Sequence, residues 1–178
     1  MADSFTFRIR PAQERDIPDI REIYNHYVTN SAVTFDEEES SLSFWRDKLA
    51  RLARAGLPCL VAESPSGQIL GYALAQPWSA KAAYRFTVED SIYLGQASTG
   101  KGLGRALLEA LIAACEDAGV REIIAVISDR GAEASVALHR RLGFVEIGRM
   151  GRVGFKFGRW LGVINMQKSL RRSRAPHR

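Results

Sequence analysis

The sequence predicts an α/β fold on three grounds. Strand-like and helix-like periodicities alternate along the chain. A glycine-rich loop, GQASTGKGLG at residues 95–104, separates an apolar strand from an amphipathic helix. Residues 123–127 (IIAVI) form the continuous apolar run expected of a strand covered on both faces. The length of 178 residues suits one domain with a sizeable core, set at residues 7–170, followed by a basic tail at 171–178 read as disordered.

Residues 7–9 read as a short edge strand. A helix then starts near residues 13–18, with Glu14 or Asp16 at its positive end and Ile17, Ile20, Ile23, Tyr24 and Tyr27 as its apolar stripe. A second helix covers about residues 42–55 and stops at Gly56, with Pro58 beyond it. Two strands, residues 60–62 and 69–75, flank the turn Ser64-Pro65-Ser66-Gly67, and residues 86–94 form another. After the glycine loop, Leu103, Leu107, Ala110, Leu111 and Ala114 fall at intervals of three and four, describing a helix that closes at Gly119. Residues 134–142 read as a further helix ending at Gly143, and residues 144–147 and 163–166 as the last strands. The order is β-α-α-β-β-β-α-β-α-β-β.

Composition excludes several classes. No apolar run approaches the roughly 18 to 20 residues of a membrane span, and the N-terminus MADSFTFRIR lacks the apolar stretch of a signal peptide. Cys59 and Cys115 sit in apolar segments, as in a reduced cytoplasmic protein with buried thiols. The net charge of +5 owes much to the C-terminal KSLRRSRAPHR, a basic run without an acid. No nucleic-acid reader motif accompanies it, so neither a nucleic acid nor a membrane is expected as partner.

Strand, glycine loop and helix together make a phosphate site. Glycines let backbone N–H groups turn toward an anion, and the helix start adds its positive end. Gly95, Gly100 and Lys101 even fit the P-loop frame GxxxxGK, and Asp129 after the strand at 123–127 imitates a magnesium-holding aspartate. Gly102, however, stands where that motif needs a Ser or Thr hydroxyl for magnesium. A metal-dependent nucleotide triphosphatase therefore ranks last among the readings, and no metal is expected.

Several segments carry a resemblance to a known family. Residues 88–94 (VEDSIYL), 100–108 (GKGLGRALL) and 139–144 (HRRLGF) resemble the core of the GNAT acetyltransferase superfamily. More narrowly, Ile23-Tyr24-Asn25, Pro77-Trp78, Thr87-Val88-Glu89, residues 135–139 (SVALH) and 153–160 (VGFKFGRW) resemble phosphinothricin acetyltransferases and amino-acid N-acyltransferases. The similarity runs from about residue 9 to residue 167. It implies a mixed, bent central sheet flanked by helices, in which the parallel strands 86–94 and 123–127 splay apart to hold acetyl-CoA. The pantetheine would pair with the backbone of Ile92, Tyr93 and Leu94. The diphosphate would sit on N–H groups of Gly100, Lys101, Gly102, Leu103, Gly104 and Arg105, with Gly102 allowing a close approach. Two departures stand out: Thr99 replaces the usual Gln or Arg, and the connection 128–133 is one residue longer and lacks the usual Asn.

The same resemblance implies transfer of acetyl to the amine of a small amino-acid-like acceptor. Glu89, on the strand that carries Val88, Ile92 and Leu94, is the candidate general base, with Asp90 on the opposite face by alternation. His139 is the second catalytic candidate. It could protonate the leaving thiolate, assist Glu89 or only hydrogen-bond within the site. Phe35, Trp78, Lys81, Tyr84, Arg85 and Ser91 are the acceptor candidates, and residues 154–160 would close over the site and contribute to a homodimer. A protein or peptide N-terminal acetyltransferase and a catalytically silent acyl-CoA-binding module stay open beside this reading.

Overall fold

The computed structural model describes residues 5–170; the predicted tail at 171–178 lies outside the described residues, although Lys168 and Ser169 of the basic run belong to the last strand. The elements are β1 (Arg8–Pro11), α1 (Ile17–Asn30), α2 (Leu42–Arg54), β2 (Cys59–Glu63), β3 (Ile69–Pro77), β4 (Thr87–Leu94), α3 (Leu103–Asp117), β5 (Glu122–Ser128), α4 (Glu133–Arg141), β6 (Val145–Lys156) and β7 (Arg159–Ser169). Short 3-10 turns precede α1, β4 and α3. The element order is the one read from the sequence.

The strands form a seven-stranded sheet in the order β1-β2-β3-β4-β5-β7-β6, antiparallel everywhere except at the β4–β5 pair. A layer of helices covers each face. On one, Ile17 and Ile20 of α1 and Trp45 and Leu52 of α2 pack on Val61, Tyr72 and Leu74. On the other, Leu103, Leu107, Leu108, Leu111 and Cys115 of α3 pack on Ala73, Val88, Ile123 and Ala125. Each buried leucine there contributes about 1.5–3 kcal/mol relative to exposure.

Local chemistry sets the helix ends. Ser41 caps α2, its hydroxyl accepting the Phe44 N–H at 3.0 Å. Pro18 opens α1 without costing a helical bond, and Asp16 accepts the Gln13 N–H at 2.8 Å and both Arg10 terminal nitrogens. Burial opposes the charge on Asp16, but Arg10 outweighs it and holds the carboxylate below its usual range.

The sequence reading fails most at β6 and β7. Residues 144–147 and 163–166 read as two short strands, whereas the structure has a long hairpin, Val145–Lys156 and Arg159–Ser169. Among the described residues no helix is long and apolar enough to cross a membrane.

Candidate active site

β4 carries the site because its two ladders have different lengths. Toward β3 it pairs from Val88 through Leu94, with Gln76 opposite Glu89. Toward β5 it pairs only over Thr87, Val88 and Glu89, against Glu122, Ile123 and Ile124. β5 meanwhile pairs with β7 along its whole length. The parallel strands therefore part just beyond Glu89, and one edge of β4 from Asp90 onward has no strand beside it. A cavity of about 550 Å³ opens there, lined by residues 89–94 of β4, 126–128 of β5, the start of α3 and one face of α4. A larger hollow of about 740 Å³ beneath α2 includes neither β4 nor the glycine loop.

The glycine loop closes one end of this cavity. Gly100 and Gly102 have φ of 74° and 78°, in the left-handed region that favours glycine. A Cβ at either position would meet nothing within 4 Å. The backbone turn, rather than crowding by the protein, is what demands glycine at 102. α3 starts at Leu103, and its first rung runs from the Ala106 N–H to the Gly102 carbonyl at 3.2 Å. Helix geometry leaves the N–H groups of Leu103, Gly104 and Arg105 without intrahelical acceptors, at the positive end of the helix.

The side chains of this loop behave differently from one another. Leu103 is fully buried in the core, and the Lys101 ammonium lies 4.7 Å from the centre of the Phe5 ring. Thr99 lines the cavity but turns its hydroxyl onto the Gln96 carbonyl at 3.3 Å. Arg105 lines it too, paired with Glu109 at 2.8 Å. The longer connection 128–133 turns at Gly131 (φ 74°) and brings Gly131 and Ala132 to the cavity wall.

Alternation along β4 places Glu89, Ser91 and Tyr93 toward α1 and α2, and Asp90, Ile92 and Leu94 toward α3 and α4. Glu89 is half-buried and accepts a hydrogen bond from the Gln76 amide at 3.3 Å. Burial, reinforced by the Asp90 charge and only partly offset by Gln76 and Lys48, raises its pKa above the ordinary glutamate value. Tyr27 donates its hydroxyl to the Leu94 carbonyl, so one of the backbone groups expected to face a cofactor is already engaged.

His139 does not reach toward Glu89. Its Nε2 lies 2.8 Å from Asp90 Oδ2, and its Nδ1 lies 2.7 Å from the Ser135 carbonyl, with the Phe144 ring edge-on at 4.8 Å. Both partners are almost wholly buried, at 2% and 4% side-chain exposure. A carbonyl only accepts, so Nδ1 carries a hydrogen, and the proton between Nε2 and Asp90 is a second one. Burial works against a charged ring, but the bond to Asp90 and its charge prevail and raise the His139 pKa above the ordinary value.

The acceptor candidates are not all gathered here. Ser91 lines the cavity, whereas Phe35, Trp78, Lys81, Tyr84 and Arg85 do not. Trp78 and Tyr84 are 41% and 45% exposed on the connection before β4, and Arg85 stacks on Phe86 with 4.6 Å to the ring centre. Phe35 packs instead against Gly154 of the β6–β7 hairpin. Sequence reasoning did not single out Gln76 or Lys156, nor Asp90 as the partner of His139. Gln76 falls just past the strand read at 69–75, and its pairing opposite Glu89 comes only with the β3–β4 register; the other two are long-range partnerships that no local pattern announces.

With this geometry in view, the relatives fall into place. Residues 9–164 match the family described as the acetyltransferase (GNAT) domain. A phosphinothricin N-acetyltransferase of Alcaligenes faecalis is 43% identical over 162 residues, covering 91% of this chain and 82% of that protein. An L-methionine sulfoximine/L-methionine sulfone acetyltransferase of Pseudomonas paraeruginosa is 42% identical over 162 residues, covering 91% and 94%. The crystal structure of a GNAT superfamily phosphinothricin acetyltransferase from Sinorhizobium meliloti in complex with AcCoA superposes with a TM-score of 0.88 at 42% identity, covering 93% of this chain and 89% of that one. The chain belongs to the GNAT acetyltransferase family.

Proposed function

We propose that the protein is an acetyl-CoA-dependent N-acetyltransferase for the free amine of a small amino-acid-like acceptor, of the phosphinothricin or methionine sulfoximine kind, with Glu89 as general base. The observation that carries this reading is the position of Glu89, a desolvated carboxylate at the point where β4 and β5 part. The names of the relatives support the acceptor class.

The residues present fit the cofactor. The free N–H groups of Leu103, Gly104 and Arg105 would hold its diphosphate, with open space at Gly100 and Gly102. The unpaired edge of β4 at Ile92, Tyr93 and Leu94 would take its amide-bearing arm. Acetyl-CoA supplies an activated acyl group and a thiolate leaving group, and needs no metal.

Glu89 removes the proton that an amino acid's ammonium carries at neutral pH, directly or through water. His139, on the other side of β4, holds a proton against Asp90 and supplies it to the departing thiolate. As the C–N bond forms and the C–S bond breaks the ammonium gives up two protons: one leaves through Glu89 to solvent, and the other makes good the proton that His139 gives to the thiolate sulfur. Exposed Trp78 and Tyr84 give a second reading some support, because an acceptor groove left open on that side would also suit a peptide N-terminus. The exposed apolar residues of the β6–β7 hairpin, Val153, Phe155, Phe157 and Trp160, support a homodimer built on that face.

The test is thiol release from acetyl-CoA across a panel of free amino acids and a short peptide. Glu89→Gln is expected to lower kcat by on the order of 10² to 10⁴ while acetyl-CoA still raises the melting temperature as in the wild type. In the wild type, kcat/KM should fall on the acid side with an apparent pKa above the ordinary carboxylate value. Undiminished turnover by Glu89→Gln at neutral pH removes Glu89 from the mechanism.

A further inference from the structure

Lys156 ends β6, and Phe157 and Gly158, with φ of 53° and 71°, turn the chain back into β7. Its neighbours Phe155 and Phe157 are more than half exposed, yet Lys156 itself is only 3% exposed. A lysine is almost never buried unless its ammonium is paired. Here Nζ donates to the Ser31 carbonyl at 2.8 Å and to the Thr34 carbonyl at 2.9 Å, more than 120 residues away in sequence. Burial lowers the pKa of this ammonium, and the nearby Asp36 and Glu37 charges work in the other direction.

Those two carbonyls bracket Val33, which lines the cavity between β4 and β5. Ser31 caps the C-terminal end of α1, where a cation is also favoured by the helix dipole. On the same strand, Gly154 lies so close to Phe35 that a Cβ would sit 2.6 Å from the ring. From the other side, the Tyr24 hydroxyl holds Thr34 Oγ1 at 3.0 Å and also bonds Asp36. Residues 31–36 are thus clamped between α1 and the hairpin, with the Lys156 ammonium as the charged member of the clamp.

We propose that Lys156 is a positioning residue that fixes residues 31–35, and so sets where Val33 stands on the wall of the cavity between β4 and β5. It touches neither β4 nor the glycine loop, so its effect on the site is carried through Val33. This assignment rests on the acetyltransferase reading for its kinetic test but not for its structural one.

The experiment compares Lys156→Met, Lys156→Arg and Gly154→Ala with the wild type. Lys156→Met is expected to raise the KM for the amine on the order of ten- to a hundredfold, with kcat within about threefold. Lys156→Arg keeps the charge and donors and should recover part of that loss. Gly154→Ala disturbs Phe35 without touching the ammonium, and should show the same KM split even if Lys156→Met folds poorly. Hydrogen exchange of residues 31–36 supplies a readout that needs no turnover: about tenfold faster exchange in Lys156→Met is expected. A fall in kcat with unchanged amine KM, or unchanged exchange at residues 31–36, overturns the proposal. Absence of turnover in the wild type would instead sink the acetyltransferase reading and leave the exchange result to decide.

Discussion

Asp90→Asn tests whether the buried Asp90–His139 pair holds a second proton. Asparagine keeps the shape and can donate its amide to Nε2, while Nδ1–H continues to serve the Ser135 carbonyl. What is lost is a charge-assisted hydrogen bond, worth about 1.5–3 kcal/mol. Both side chains are 4% exposed or less, so water screens little of this. At about 2–4 °C per kcal/mol for a chain of this size, the melting temperature falls by about 3 to 12 °C. Asp90→Ala, which leaves Nε2 buried without a partner, should cost more, about 3–5 kcal/mol or about 6 to 20 °C.

The loss must also depend on pH in a definite direction. The folded pKa of His139 is raised above its unfolded value of about 6.5. The stability it contributes is therefore fully present below about pH 6.5 and is lost as pH rises through the folded value. Chemical denaturation from pH 5.5 to 9.5 should show wild type and Asp90→Asn far apart at the acid end and converging at the alkaline end. Parallel curves across that range would refute the shared proton, and with it the role of His139 as proton donor.

Two further outcomes follow from the backbone. Gly162→Ala would bring a Cβ within 2.5 Å of the Met150 carbonyl and 2.6 Å of Asp129 Oδ2, forcing β6 and β7 apart; a loss of about 1–3 kcal/mol is expected in denaturant titrations, and an unchanged midpoint would show that the hairpin yields freely. Thr99→Arg restores a cation at the cavity edge, where Thr99 now bonds only its own turn; the KM for acetyl-CoA should fall by about tenfold, the worth of one charged hydrogen bond to a diphosphate, and no change would mean that the backbone alone sets cofactor affinity.

The sequence was most legible where a period meets a simple burial rule. Leu103, Leu107 and Leu111 fall on one buried face of α3, and alternation alone put Glu89 and Asp90 on opposite faces of β4. The glycine loop was legible as chemistry, because positive φ at Gly100 and Gly102 has few other residues to serve it. β6 was illegible because it breaks those rules. Its residues are nearly all exposed, so Val145, Ile147 and Val153 show no buried alternation, and Gly148, Gly151 and Gly154 interrupt the strand pattern. Bulges and left-handed Arg152 further shift its register with β7, whose backbone holds the pair together. The partners of His139 and Lys156 lie 49 and more than 120 residues distant, beyond any local period.

The short parallel ladder between β4 and β5 has a mechanical consequence. Three residue pairs, at Thr87, Val88 and Glu89, join a four-stranded antiparallel half of the sheet to a three-stranded one. The continuous ladders lie on either side of this seam, so backbone bonding across the sheet is thinnest here, and the two halves are joined mainly by the core that α3 packs across them. A molecule that seats its amides along the free edge of β4 takes the place of missing rungs and ties the halves together. Occupancy then reinforces the backbone scaffold by mass action, and the folded enzyme becomes most cohesive at the moment it is loaded.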